Sequence, residues 1–344
     1  MTIQENISLK PYNTFGIDVS AKLFTEITSV VDLQQLMRDK AYQNENKLVL
    51  GGGSNILFTK NFDGLVIKNN IGGIEIIKQE NRHVWVKAYA GVNWHQFVLW
   101  TIEHNFAGIE NLSLIPGQVG AAPMQNIGAY GVEIKDVFDS LEAVDMQSGE
   151  IVHFGLQDCA FGYRESVFKN QYKNRFLISS VTFCLTDLND PKALYRLKMD
   201  YGDVKQTLAD MQVIDPSIKD VSTAVIKIRS SKLPDPKVLG NAGSFFKNPV
   251  ISKEQFETMV AVNPLIPSYP QKDGTIKLAA GWLIEQCGWK GKQVGHTGSH
   301  AKQALVLVNY GGASGNEVYQ LALNIQQSVK EKFGVDIQPE VNLV

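Results

Sequence analysis

From Ser29 to Lys40 the apolar residues Val30, Leu33, Leu36 and Met37 recur on one helical face, and Ser29 with Asp32 makes a capping pattern ahead of them. The spacing predicts a helix over 29–40. Lys47 to Leu50 reads as a short strand. It runs into Gly51, Gly52, Gly53, Ser54 and Asn55, and then into a second apolar stretch, Ile56 to Phe58. Val84 to Ala90 alternates with period two, as a half-buried strand does. Trp94, Phe97, Val98, Thr101 and Ile102 return to helical spacing. Leu141 to Met146 and Ile151 to Phe154 flank a Ser148-Gly149 turn and read as a hairpin, and Phe176 to Leu185 is a further strand. The region 72–186 is therefore strand-rich α+β.

Prolines and glycines interrupt this rhythm in SSKLPDPKVLGNAGSFFKNPV, from Ser230, which marks a domain boundary. Beyond it, Ser252 and Gln255 cap a helix carrying Phe256, Met259 and Val260. A second helix is expected from about Lys277 to Cys287, ending at Gly288, and Ala304 to Val308 reads as a buried strand. Ser314 and Glu317 form a capping box before Val318, Leu321, Ala322, Ile325, Val329 and Phe333 at helical spacing. A chain of 344 residues exceeds one small core, so two or three domains are expected.

The pattern fails most completely at 114–131, LIPGQVGAAPMQNIGAYG. Four glycines and three alanines are interleaved there, with no charge. A flexible loop is rich in Ser, Lys and Glu. This stretch holds Leu114, Ile115, Val119, Met124 and Ile127 instead, and reads as an ordered, buried bed where backbone meets a flat ligand. The GGGSN loop at 51–55 reads equally as a phosphate-binding loop or a hairpin turn. It lacks the third glycine of a Rossmann fingerprint, because Ile56 stands there, and the chain has no Gly-Lys-Ser/Thr phosphate loop.

The net charge of −2 argues against a nucleic-acid partner, and no apolar run reaches membrane-spanning length. Three separated cysteines and a polar N-terminus without a signal-peptide pattern fit a reducing, cytoplasmic setting. His296 and His300 stand four apart, but Thr297-Gly298-Ser299 between them reads as a loop, so no metal is expected. Cys287 reads as a core residue, and Phe245-Phe246 as packing beneath Ser244.

Five motifs then occur in order: GGGSN at 51–55, PGQVGAAPMQNIGAYG at 116–131, GYRES at 162–166, GNAGSFFKNP at 240–249 and PEV at 339–341. Together they resemble the UDP-N-acetylenolpyruvoylglucosamine reductases (UDP-N-acetylmuramate dehydrogenases, the MurB family). YGDVKQTL at 201–208 resembles the family's longer, type I form. The resemblance implies an α+β fold of the FAD-binding PCMH and vanillyl-alcohol-oxidase class, with two FAD-binding subdomains (1–71 with the tail 335–344, and 72–232) and a C-terminal α+β substrate-binding domain (233–334). It implies non-covalent FAD, NADPH as hydride donor, and a UDP-sugar enolpyruvyl ether as substrate.

Roles follow residue by residue from the same resemblance. Arg164 binds the substrate carboxylate, which a guanidinium does with two parallel hydrogen bonds. Ser244 donates the proton. Glu340 polarises the carboxylate or assists proton delivery. Tyr201, Lys232, Asn248 and Gln303 contact the UDP-sugar. Gly51, Gly52, Gly53, Ser54 and Asn55 hold FAD from one side. Ile115, Pro116, Gly117, Gly120 and Ala121, then Gln125, Asn126, Gly128, Ala129 and Tyr130, hold it from the other, with Arg229 beside them; a plain solvated arginine is the alternative there. The protein is expected to act as a monomer, without membrane or nucleic-acid partners. An oxidase of the same fold is the second reading. Many such oxidases attach flavin to His or Cys, and 114–131 contains neither. A silent flavin or nucleotide-sugar binder is the third.

Overall fold

In the computed structural model, which describes all 344 residues, Ser29 Oγ accepts from the N–H of Asp32 at 3.1 Å and Asp32 Oδ2 accepts from Ser29 at 3.0 Å. This box opens the helix Val30–Arg38, which buries Leu33, Leu36 and Met37 as its spacing requires. The chain divides into two compact units. The first comprises 1–7, 21–52 and 63–231; the second comprises 8–20, 53–62 and 232–344. The stretch expected as one N-terminal domain, 1–71, is thus shared between both, and the tail joins the second.

The first unit holds a four-stranded sheet ordered Gln4–Ser8, Ser20–Ile27, Phe62–Asn69, Lys47–Leu50. The last two run parallel, with Leu50 opposite Lys68. A second, antiparallel sheet runs Ile151–Gly155, Phe138–Asp145, Phe176–Asp187, His83–Tyr89, Ile74–Glu80. The hairpin in it turns at Gly149, whose positive φ of 75° suits glycine. Helix Trp94–Glu103 sends Phe97 against Phe183 of this sheet at 5.1 Å between ring centroids. The helices Val204–Asp210 and Ile218–Lys232 share a separate apolar cluster through Val204, Leu208, Val221 and Val225.

The second unit is built on the helix Gly315–Phe333, which starts at Ser314 and ends at Gly334 in the left-handed region. It covers a core of Phe245, Phe246, Leu283, Leu321 and Ile325. A four-stranded sheet runs Gly240–Ser244, Val306–Asn309, Thr297–Ser299, Gln293–Val294. The buried strand therefore starts two residues later than its expected Ala304. The helix expected from Lys277 begins only at Ala280. Ile276 and Leu278 point inward on either side of Lys277, a period of two, and pair with Val250–Ile251 and Ser268–Pro270. At Ser314, Oγ caps the N–H of Glu317 at 3.2 Å, and Glu317 Oε1 also accepts from the His296 N–H at 2.8 Å. That bond first, then the His296 ring, draws the Glu317 pKa below the ordinary carboxylate value.

Gly315 lets the start of this helix pack closely against the main chain at Phe58. A Cβ there would overlap the carbonyl oxygen of Phe58. Helix propensity alone favours alanine over glycine by about 1 kcal/mol. Overpacking of a tight site costs about 1–3 kcal/mol, so Gly315→Ala is expected to destabilise by that order. A lowered urea midpoint at unchanged slope is the expected reading; a raised midpoint would mean the helix start slides freely.

Candidate active site

The two glycine-rich stretches meet within the first unit. A Cβ on Gly52 would stand 2.9 Å from the Cα of Gly117, and one on Gly51 would stand 3.2 Å from Gln118 Oε1. The Gly52–Gly117 contact is backbone on backbone, which is why side chains are missing from both positions. Gly120 sits against Ala90 in the same way. The bed is ordered by short 3-10 turns at Val119–Ala121 and Pro123–Gln125. Its burial is one-sided, not complete as expected: Val119, Ala122, Pro123 and Asn126 are buried, while Pro116, Ala121, Met124 and Gly131 are exposed. An apolar underside with an open face can seat a flat ligand. Left-handed φ at Leu114 (59°), Gly117 (114°), Asn126 (45°), Tyr130 (50°) and Gly131 (80°) turns successive peptide groups through this stretch.

Asn126 ties the bed to the GYRES turn. Its Nδ2 donates to Gly162 O at 3.1 Å and to Glu133 Oε2 at 3.0 Å, and its Oδ1 accepts from the Lys135 N–H at 3.1 Å. The Asn126 side chain is thus a structural tie, a role that composition did not reveal. Ser166 Oγ adds a bond to Met124 O at 2.7 Å. Between these anchors, Gly162 and Glu165 close a tight turn that holds Arg164 at φ 56°, a position where turns ordinarily place glycine. Backbone strain of about 1–3 kcal/mol at a non-glycine residue is characteristic of functional positions.

Arg229 joins this cluster from the helix Ile218–Lys232. Its Nε donates to Leu114 O at 3.3 Å. Burial lowers its pKa, Tyr130 opposes the shift, and the like charge of Arg164 adds to it. Two arginines within electrostatic reach of one another favour an anion nearby. Tyr201 lies over Gly131, its Cβ 3.3 Å from where a glycine Cβ would be, and is 53% exposed.

Nothing in the sequence pattern marks His95, yet its Nδ1 accepts the Leu114 N–H at 3.0 Å and fixes the start of the bed. Only the neutral ring can accept there. Burial, then Arg229, lowers its pKa. A folded pKa below the unfolded value of about 6.5 means that the folded protein resists protonation, so stability falls as pH drops from 6.5 toward the folded pKa. His95→Asn keeps an acceptor near the same place and cannot titrate. Thermal melts between pH 7.5 and 5 should show the variant losing the part of the acid destabilisation that His95 causes; superimposable profiles would remove His95 from that role.

In the second unit, Ser244 ends the strand Gly240–Ser244 just after a bulge in its pairing with Val306. Gly243 before it has φ 70°, and a Cβ there would meet nothing within 4 Å. Asn241 Oδ1 braces the turn by accepting from the Gly243 N–H at 2.9 Å. Phe245 and Phe246 lie beneath it, fully buried as expected. The tail passes directly alongside. Glu340 N–H donates to Phe245 O at 2.7 Å, Lys247 N–H donates to Gln338 O at 2.9 Å, and Phe246 bridges Pro339. Asn342–Leu343 then pairs in parallel with Ile56–Leu57, and Asn55 Nδ2 reaches Glu340 O at 3.3 Å. The main chain of Glu340 therefore lies one residue from that of Ser244.

Asn248 and Gln303 come together at the first turn of the helix Ala280–Gln286. Asn248 Oδ1 accepts from the Ala280 N–H at 3.0 Å, and a Cβ on Gly281 would stand 3.1 Å from Gln303 Oε1. Lys232 is exposed at the end of its helix. Cys287 is half-buried against Ser328 O, and burial raises its pKa. No helix is long and apolar enough to cross a membrane.

A chain 50% identical over 344 residues, covering all of both, is the UDP-N-acetylenolpyruvoylglucosamine reductase of Flavobacterium johnsoniae. This chain belongs to the UDP-N-acetylenolpyruvoylglucosamine reductase family. The reductase of Pseudomonas syringae pv. syringae is 52% identical over 343 residues, covering 100% of this chain and 99% of the relative. Residues 235–344 match the family model for the reductase's C-terminal domain, and 21–155 match an FAD binding domain. The crystal structure of the reductase from Thermus caldophilus shares the fold at a TM-score of 0.65, with 22% identity and 99% of each chain covered. The reductase family thus accounts for both glycine stretches as parts of an FAD-binding oxidoreductase, and the α+β fold expected from the motifs is the one observed. The residues fit a dinucleotide: Gly51, Gly52 and Gly117 carry no side chains, and neither stretch carries a negative charge.

Proposed function

We propose that the protein reduces the enolpyruvyl ether of UDP-N-acetylglucosamine enolpyruvate to UDP-N-acetylmuramate, using NADPH, as a step of peptidoglycan precursor synthesis in the cytoplasm. The observation that carries the reading is the return of the tail to the Ser244 turn, because it places a carboxylate-bearing residue, Glu340, one main-chain hydrogen bond away from a small, open serine turn. FAD, when bound, supplies the hydride chemistry, and the glycine stretches at 51–55 and 114–131 are its seat. The functional division remains three-part in this reading: 1–71 and 72–232 serve the flavin, and 233–334 serves the sugar nucleotide.

The chain's own residues then have charge and one proton to manage. Hydride addition to the vinyl carbon moves charge onto the substrate carboxylate as an enolate-like dianion. Arg164, held rigidly in its turn, stabilises that charge. Ser244 donates its hydroxyl proton to the neighbouring carbon. A hydroxyl suffices as the acid because the enolate is strongly basic, the more so once bound substrate displaces water from the serine. Glu340 polarises the carboxylate or relays the proton. Tyr201, Lys232, Asn248 and Gln303 bind the UDP-sugar, with Lys232 set against diphosphate charge.

One cuvette tests the reading. Flavin absorbance of the purified protein should bleach with anaerobic NADPH and return on adding the enolpyruvyl substrate. Bands that return only with oxygen would replace the reductase by an oxidase, and a colourless protein would remove the flavin seat.

A further inference from the structure

Neither glycine stretch carries a charge, yet a dinucleotide brings a diphosphate with two negative charges. Main-chain N–H groups offer shape and partial charge only. A cationic side chain that reaches the Gly51–Gln118 seam would add a full counter-charge to them.

Lys68 stands opposite Leu50, the last residue of the strand that enters Gly51. Its Nζ donates to Asn70 Oδ1 at 3.0 Å and reaches Gln118 Oε1 at 3.5 Å. The same Gln118 oxygen faces Gly51 across the seam. Gln118 is itself held by Nε2 donating to Gly91 O at 2.9 Å. The ammonium thus ends one amide away from the place where the two glycine stretches touch. Both of its hydrogen-bond partners are neutral oxygens. The charge acting on it from Glu26 comes past Asn70, whose Nδ2 donates to Glu26 Oε2 at 2.8 Å. Burial pushes the Lys68 pKa down, and Glu26 only partly offsets this. A half-buried ammonium between neutral hydrogen-bond partners gains more from an arriving anion than a fully exposed lysine does.

We propose that Lys68 is the cation that neutralises the diphosphate of the bound FAD. The inference rests on the flavin reading of the seam and names a residue for it.

The test is a titration of flavin-stripped, full-length protein with FAD and with riboflavin, which has no diphosphate, followed by fluorescence quenching. Wild-type protein should bind FAD, and added salt should weaken it. Lys68→Met should weaken FAD by about 10- to 100-fold, as expected for loss of a charge-assisted contact, and lose much of the salt dependence. Riboflavin affinity should be the same in both proteins, and Lys68→Arg should recover most of the FAD affinity. Unchanged FAD affinity in Lys68→Met overturns the proposal. So does an equal loss of FAD and riboflavin affinity, or failure of Lys68→Arg to rescue a Lys68→Met protein that melts normally. A wild-type protein that binds no FAD is a different failure, that of the flavin reading itself.

Discussion

Ser244→Ala is expected to leave flavin reduction by NADPH unchanged and to slow reoxidation by the enolpyruvyl substrate by about 10²- to 10⁴-fold, the range for removal of a general acid. The separation of half-reactions carries the argument. Hydride arrival at the flavin needs no proton from this turn, whereas the substrate carbon needs one. The substitution removes one oxygen from a half-buried side chain and leaves the main chain held by Phe245 N–H donating to Leu305 O at 2.7 Å. Gly243 keeps its left-handed φ and its open flank. Stopped-flow absorbance reads the two phases in one protein. Equal slowing of both would show that the turn matters for flavin geometry and not as an acid.

The glycine-rich seam could be read before any fold was known, for a physical reason. Residues 114–131 depart from ordinary composition because backbone must press on backbone, at Gly52–Gly117 and Gly120–Ala90, and a close approach forbids side chains wherever its partner lies in sequence. The helix caps at Ser29, Ser252 and Ser314 were legible because a cap and its partner lie three residues apart.

What could not be read is long-range. His95 meets Leu114, Asn126 meets Gly162, and Glu317 meets His296; each pair joins segments whose local patterns say nothing of one another. Lys277 and Leu278 read as a helix start because Lys277 begins a helical-looking run, and only the pairing of Ile276–Leu278 with Val250–Ile251 and Ser268–Pro270 decides otherwise. The strain at Arg164 was invisible too. The sequence shows an arginine where the turn geometry asks for glycine, and only the φ of 56° exposes the mismatch.

Glu340→Gln is expected to act on the same half-reaction as Ser244→Ala. A carboxylate near the chain end is ordinarily solvated, and composition alone gave no reason to place this one in a site. The fold supplies the reason: from Gln338 to Val344 the main chain is bonded on one side to Phe245 and Lys247 and on the other to Asn55, Leu57 and Thr59. The segment is therefore part of the second unit's framework. Glutamine keeps the length and leaves every one of those main-chain bonds intact, so the melting temperature should hold. It removes the charge and the proton-carrying capacity, so transfer to the substrate should slow by about 10²-fold or more, with flavin reduction by NADPH unaffected. Deleting 339–344 gives the contrast, because it removes the pairing with Ile56–Leu57 as well and should lower stability alongside activity. A Glu340→Gln enzyme with a wild-type second half-reaction would reduce the tail to framework, and Ser244 would then have to deliver its proton without help from this carboxylate.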